Sequence, residues 1–75
     1  MPKLPALKFH EVVRVLNRAG FVLYRITGSH HHFDHPDNPD CVVTVPMHRG
    51  DMKRGTLRSI IKQAGMTVEE FLALL

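Results

Sequence analysis

Between Phe21 and Pro46 the chain has no room for a crossover connection, and this limits its fold more than any other feature. Three extended runs lie in that stretch. Residues 21–27 (FVLYRIT) are β-branched and aromatic, residues 30–35 follow, and residues 41–45 are stopped by Pro46. Gly28-Ser29 joins the first two as a tight turn, with glycine supplying the positive φ that a hairpin needs. Pro36-Asp37-Asn38-Pro39-Asp40 is dense turn chemistry between the second and third. Parallel neighbours need about a dozen residues or more between them, so these runs predict an antiparallel three-stranded meander.

A helix is predicted on each side of the meander. Over residues 8–19, Phe9, Val12, Val13, Leu16 and Ala19 make one apolar stripe, and Gly20 suits the left-handed position just past a helix end. Leu57, Ile60, Ile61 and Ala64 repeat the spacing, with Thr56 as the expected N-cap and Gly65 closing the helix. Thr67 and Glu70 read as the capping box of a last short helix carrying Phe71, Leu72 and Leu75. Pro2 and Pro5 argue for an extended lead, and residues 47–55 read as a polar loop. A lone meander cannot bury enough surface, so both main helices are expected on one sheet face with the other face open. The expectation is a two-layer α+β domain of order α-β-β-β-α with a short extra C-terminal helix. That is the order of double-stranded-RNA-binding domains, an analogy that carries no activity by itself.

Seventy-five residues suffice for one small domain but not for a deep cavity with a separate cofactor domain. Any active site is expected to be shallow. Cys41 is the only cysteine, which excludes an internal disulfide and zinc frameworks built on several cysteines; it is expected in a buried or half-buried strand position. No apolar run reaches the roughly 18 residues of a membrane span, and the N-terminal lead is too poor in hydrophobes for a signal peptide. A cytoplasmic protein is expected.

Gly28-Ser29 is followed by three histidines, His30, His31 and His32. Strand alternation splits them. Phe33 is the strongly apolar residue of its run and should face the helices, taking His31 and His35 with it; His30, His32 and Asp34 then share the open face. Three readings compete. The imidazoles are exposed without chemistry. Or His30 and His32, with Asp34 or His48, ligate zinc. Or an imidazole does acid–base work, since histidine exchanges protons near neutral pH. A shallow basic surface suits a phosphodiester, and RNA carries its own nucleophile in the 2′-hydroxyl.

Ten Lys and Arg stand against seven Asp and Glu, a formal charge of +3. Arg49, Lys53, Arg54, Arg58 and Lys62 crowd the half that follows the histidines. Arg54, Arg58 and Lys62 repeat every four residues, either as a solvated helix face or as a phosphate-contacting ridge. Lys53 and Arg54 add cations to a helix N-terminus that itself favours anions. Tyr24 and Arg25 are ambiguous between strand surface and RNA contact.

Several segments carry a closer likeness. Arg18-Ala19-Gly20-Phe21 closes the first helix. Arg25-Ile26-Thr27-Gly28-Ser29-His30-His31-His32-Phe33 follows the pattern R-x-x-G-S-H-H-x-F. Val42-Val43-Thr44-Val45-Pro46 and Gly55-Thr56-Leu57, running on to Gln63-Ala64-Gly65, complete it. In this order and spacing the chain resembles the HicA family of toxin messenger-RNA endoribonucleases, including its YcfA-like members. The resemblance spans about residues 9–65. It implies residues 1–75 as a single HicA-like toxin domain of double-stranded-RNA-binding-like fold. It further implies metal-independent mRNA cleavage that blocks translation, no cofactor, and neutralisation by a cognate HicB-type antitoxin. The family's catalytic histidine, the first after Gly-Ser, falls on His30. Ser29, His32, Lys53, Arg54, Arg58 and Lys62 are the expected RNA contacts, His32 standing where the pattern varies. A non-catalytic RNA-binding module of the same fold is the alternative.

Overall fold

In the computed structural model, which describes residues 3–75, the chain runs α1 (Phe9–Arg18), β1 (Val22–Thr27), β2 (His30–His35), β3 (Asn38–Pro46), α2 (Arg54–Gln63) and α3 (Val68–Ala73). Pro2, counted above in the extended lead, lies outside the described residues. The strands form one antiparallel sheet in the order β1-β2-β3. The architecture is the predicted α+β domain.

Both main helices end in the same device. Past α1, the Phe21 N–H donates to Leu16 O and the Gly20 N–H to Asn17 O; past α2, Met66 and Gly65 do the same to Ile61 and Lys62. These are Schellman closures, and Gly20 and Gly65 take the positive φ they require, 96° and 71°. The closure after α1 turns the chain straight into β1. At α3 the predicted capping box is in place: the Glu70 N–H donates to Thr67 Oγ1 at 3.1 Å and the Thr67 N–H to Glu70 Oε1 at 2.8 Å.

One core lies between the helices and one sheet face. Phe33, Val43 and Val45 of the sheet meet Val12, Val15 and Leu16 of α1, Leu57, Ile60 and Ile61 of α2, and Phe71 of α3. The centre of α1's buried face is rotated from the predicted stripe. Val15 is fully buried, whereas Phe9, Val13 and Ala19 are partly buried at its margins.

Four boundaries differ from the sequence expectation. First, β3 begins at Asn38, because His35 pairs with Asn38 across a two-residue Pro36-Asp37 turn. The register then slips, leaving Pro39, Asp40 and Cys41 without partners before Val42 pairs with Asp34. Pro39 is tolerated because β3 is an edge strand. Second, α2 starts at Arg54, so Thr56 is not its cap; Lys53 holds that position, and the Leu57 N–H donating to Lys53 O closes the first turn. Third, the lead and the loop contribute to the core. Leu4, Leu7 and Met52 are buried, and the Met52 N–H donates to Leu7 O at 2.7 Å beside an isolated antiparallel backbone β-bridge between Lys8 and Asp51. Fourth, α3 ends at Ala73, which leaves Leu75 beyond it and exposed while Phe71 is enclosed.

Candidate active site on the open sheet face

The histidine run follows the predicted alternation. His31 turns inward and meets Phe9 edge to face, with ring centroids 4.9 Å apart. Its Nδ1 is buried without a hydrogen-bond partner. His35 also turns inward, against Phe21 at 5.2 Å. Its Nε2 donates to Ala19 O at 3.0 Å, and its Nδ1 accepts the Asp37 N–H at 3.1 Å, so its tautomer is fixed. These two imidazoles are structural.

His30 and His32 lie on the uncovered face. His32 is half-buried, and both ring nitrogens are engaged: Nε2 with Thr27 Oγ1 at 2.7 Å and Nδ1 with Thr44 Oγ1 at 3.2 Å. This ring ties all three strands together across the open face. The two threonines were not singled out from sequence. Alternation places Thr44 beside His32, because Val43 and Val45 point inward. Thr27 depends on a β-bulge at Tyr24 that sequence does not announce.

The bulge sets the composition of the face. Leu23 pairs with Phe33, whereas Arg25, and not Tyr24, pairs with His32; Ile26 then pairs with His31 and Thr27 with His30. Without the extra residue, alternation would turn Arg25 and Thr27 toward the helices and Ile26 outward. With it, Tyr24, Arg25 and Thr27 all stand on the face that carries His30 and His32.

His30 opens β2, paired with Thr27 on one side and Pro46 on the other, next to the Gly28-Ser29 turn, where Gly28 has φ 58°. It is exposed, and among the described residues its ring has no hydrogen-bond partner. It borders a groove of about 420 Å³ between the edge of β3 and α2, walled by Thr44, Thr56, Ser59 and Gln63. Gln63 holds that groove together. Its Oε1 accepts the Thr44 N–H at 2.9 Å, capping the free edge of β3, and its Nε2 donates to Ser59 Oγ at 3.0 Å. A hydrogen-bonded line thus runs Thr27–His32–Thr44–Gln63–Ser59 from β1 to α2 beneath His30. Cys41 is half-buried as expected, its thiol donating to Gln63 O at 3.3 Å.

The predicted contacts divide into two groups. Ser29 is next to His30, and its carbonyl accepts the Met47 N–H at 2.7 Å, extending the β2–β3 pairing past Pro46. Lys53 and Arg54 are exposed at the N-terminus of α2, adjacent to Gly55 on the rim of the His30 groove. Arg58 and Lys62 are exposed along a different groove, between α2 and α3, together with Glu69. The four-residue stripe is therefore not the wall that His30 faces. His48 lies elsewhere as well, in a groove with Lys8, Phe9 and Met47, its Nδ1 on Arg49 O at 2.8 Å. Among the described residues no three His, Cys, Asp or Glu side chains are grouped to hold a metal ion. No described helix is long and apolar enough to cross a membrane.

The arrangement suits work on a polyanion at a surface. An exposed imidazole borders a hydroxyl- and amide-lined groove, and two cations directly precede the residue of the α2 N-terminus, Gly55, that lines it. Comparison with the curated proteins finds no match. Comparison with protein families matches residues 9–66, from the start of α1 to just past α2, to the family described as the HicA toxin of bacterial toxin–antitoxin. The chain belongs to the HicA toxin family, and membership makes it the toxin of a toxin–antitoxin pair whose partner is a cognate antitoxin.

Proposed function

We propose that the chain is a metal-independent endoribonuclease that cleaves messenger RNA, with His30 as the general acid/base, and that a HicB-type antitoxin inhibits it in the cytoplasm. The supporting observation is the position of His30: exposed, without a hydrogen-bond partner among the described residues, and on a groove also lined by Gly55 and Thr56, which follow Lys53 and Arg54 at the N-terminus of α2. The RNA 2′-hydroxyl gives its proton to the His30 imidazole, and its oxygen forms a bond to phosphorus. The bond from phosphorus to the 5′-oxygen breaks, and that oxygen takes a proton from the imidazolium or from water, leaving a cyclic phosphate on the other product. Lys53, Arg54 and the first N–H groups of α2 offset the charge that gathers on the phosphoryl oxygens. Ser29 lies beside the same phosphate. Arg58 and Lys62 bind RNA further along.

The test is cleavage of end-labelled RNA by the purified protein. His30→Ala is expected to keep the fold and RNA binding while losing the products on a gel and growth inhibition in cells. Undiminished cleavage by that variant overturns the assignment. Tight, salt-sensitive binding by the wild-type protein with no product at all identifies a non-catalytic RNA-binding module.

A further inference from the structure

The β1 side of the open face is not used by the chemistry above. Tyr24 is 51% exposed, although a tyrosine ring in a domain this small is a large apolar surface to leave in water. The bulge puts it on the same face as His32, with ring centroids 6.2 Å apart and the planes tilted by 46°. Arg25 follows on the same face, exposed, and among the described residues it has no carboxylate partner. Asp34, an acidic group of that face, pairs with Val22 at the end of the sheet away from His30. The His32 ring beneath Tyr24 is pinned by Thr27 and Thr44, so the tyrosine rests against a fixed support.

We propose that Tyr24 and Arg25 form a binding site for one unpaired nucleotide of the RNA, with the base stacked on the tyrosine ring and the neighbouring phosphate on the guanidinium. The proposal rests on the chain acting on RNA and adds that the strand is single at this point. An exposed aromatic ring beside an unpaired arginine is the combination that holds unstacked bases without reading their sequence. Two residues along β2 separate His32 from His30, a rise of about 7 Å, within reach of the next nucleotide. A base held on Tyr24 therefore leaves the adjoining phosphate free to enter the His30 groove. Stacking also removes that base from any duplex, which frees its 2′-hydroxyl to swing toward the imidazole. A protein strand added along β1 is the competing occupant, since Val22, Leu23 and Ile26 are exposed there too. The bulge argues against it, because it interrupts the regular row of donors and acceptors that an added strand needs, and Arg25 places a charge in that row.

Tyr24 is the only tyrosine in a chain without tryptophan, so its own fluorescence reports on the site. The probe is a short single-stranded 2′-O-methyl oligoribonucleotide, which cannot be cut by attack of its own 2′-oxygen. Wild-type protein is expected to show saturable quenching of tyrosine emission. In anisotropy with a labelled probe, Tyr24→Ala is expected to weaken binding about tenfold, the loss of one base–aromatic stack, while Tyr24→Phe stays within about twofold. Binding with unchanged emission and unchanged affinity in Tyr24→Ala overturns the site but leaves the RNA reading intact, as does equal quenching by a fully paired duplex. Emission that changes with protein concentration alone identifies strand addition between copies and also overturns it. Failure to bind the probe overturns it as well. Quenching without cleavage of unmodified RNA upholds the site and removes the ribonuclease.

Discussion

The Nε2 of His32 stands 2.7 Å from the hydroxyl of Thr27, a bond that runs from the central strand to the edge strand and exists only because a bulge turns Thr27 outward. With Thr44 on the other nitrogen, the ring has little capacity left for a ligand. His32 is accordingly expected to act by holding the face and not by exchanging protons. Thr27→Val should lower stability by about 1 kcal/mol, the usual net worth of one such bond, read by denaturant unfolding. His32→Leu should reduce RNA cleavage without abolishing it; loss as complete as in His30→Ala would make His32 a reacting group.

The neighbouring imidazole behaves differently. His31 packs on Phe9 with a buried nitrogen that finds no partner. His31→Ala should cost about 2–3 kcal/mol through the cavity it leaves. His31→Leu should cost clearly less, because it refills the space and removes the unsatisfied nitrogen. Thermal melting compares the two; equal melting temperatures for His31→Ala and wild type would contradict the inward placement.

A Cβ placed on Gly20 would lie 2.6 Å from His35 Nε2, in a backbone conformation of φ 96°. Gly20→Ala should therefore break the bond from His35 to Ala19 and loosen the α1–β1 corner. A loss of about 2 kcal/mol or more is expected, since the left-handed backbone alone costs about 1–2 kcal/mol for a residue with a Cβ. Gly28→Ala is the control. It has φ 58° and open space around it, so only the backbone cost applies. Equal losses at the two sites would show that the His35 contact does not matter.

Lys53 and Arg54 directly precede Gly55, which lines the His30 groove, whereas Arg58 and Lys62 border another. The paired variant Lys53→Gln/Arg54→Gln should lower cleavage more than Arg58→Gln/Lys62→Gln. Both should flatten the dependence of RNA binding on salt by about one unit of slope or less per charge removed. Cleavage assays and binding titrations at several salt concentrations check this. An equal fall in cleavage for both pairs would extend the reacting surface around the whole of α2.

The elements that sequence reveals are those set by local chemistry. The stripe of α1, the glycines past α1 and α2, the Thr67–Glu70 box and the alternation through His30, His31 and His32 need no distant partner to be recognised. What stays hidden depends on one. Leu4, Leu7 and Met52 look like lead and loop until Met52 pairs with Leu7, far away in the chain. The start of β3 depends on His35 finding Asn38, and the bulge at Tyr24 on the register of two strands. The histidine at the centre of the site is legible. Its surroundings, Thr44 and Gln63 above all, are not, because Gln63 reads as one more polar helix residue until the edge of β3 arrives beside it.

Three successive imidazoles ordinarily make a polypeptide cling to a nickel column. Here His31 is turned into the interior and the two threonines occupy His32, so of the three only His30 is presented to the resin, apart from the exposed His10 and His48. Untagged protein should need less imidazole for elution when folded than when denatured, which makes column behaviour a simple report on whether the sheet is intact.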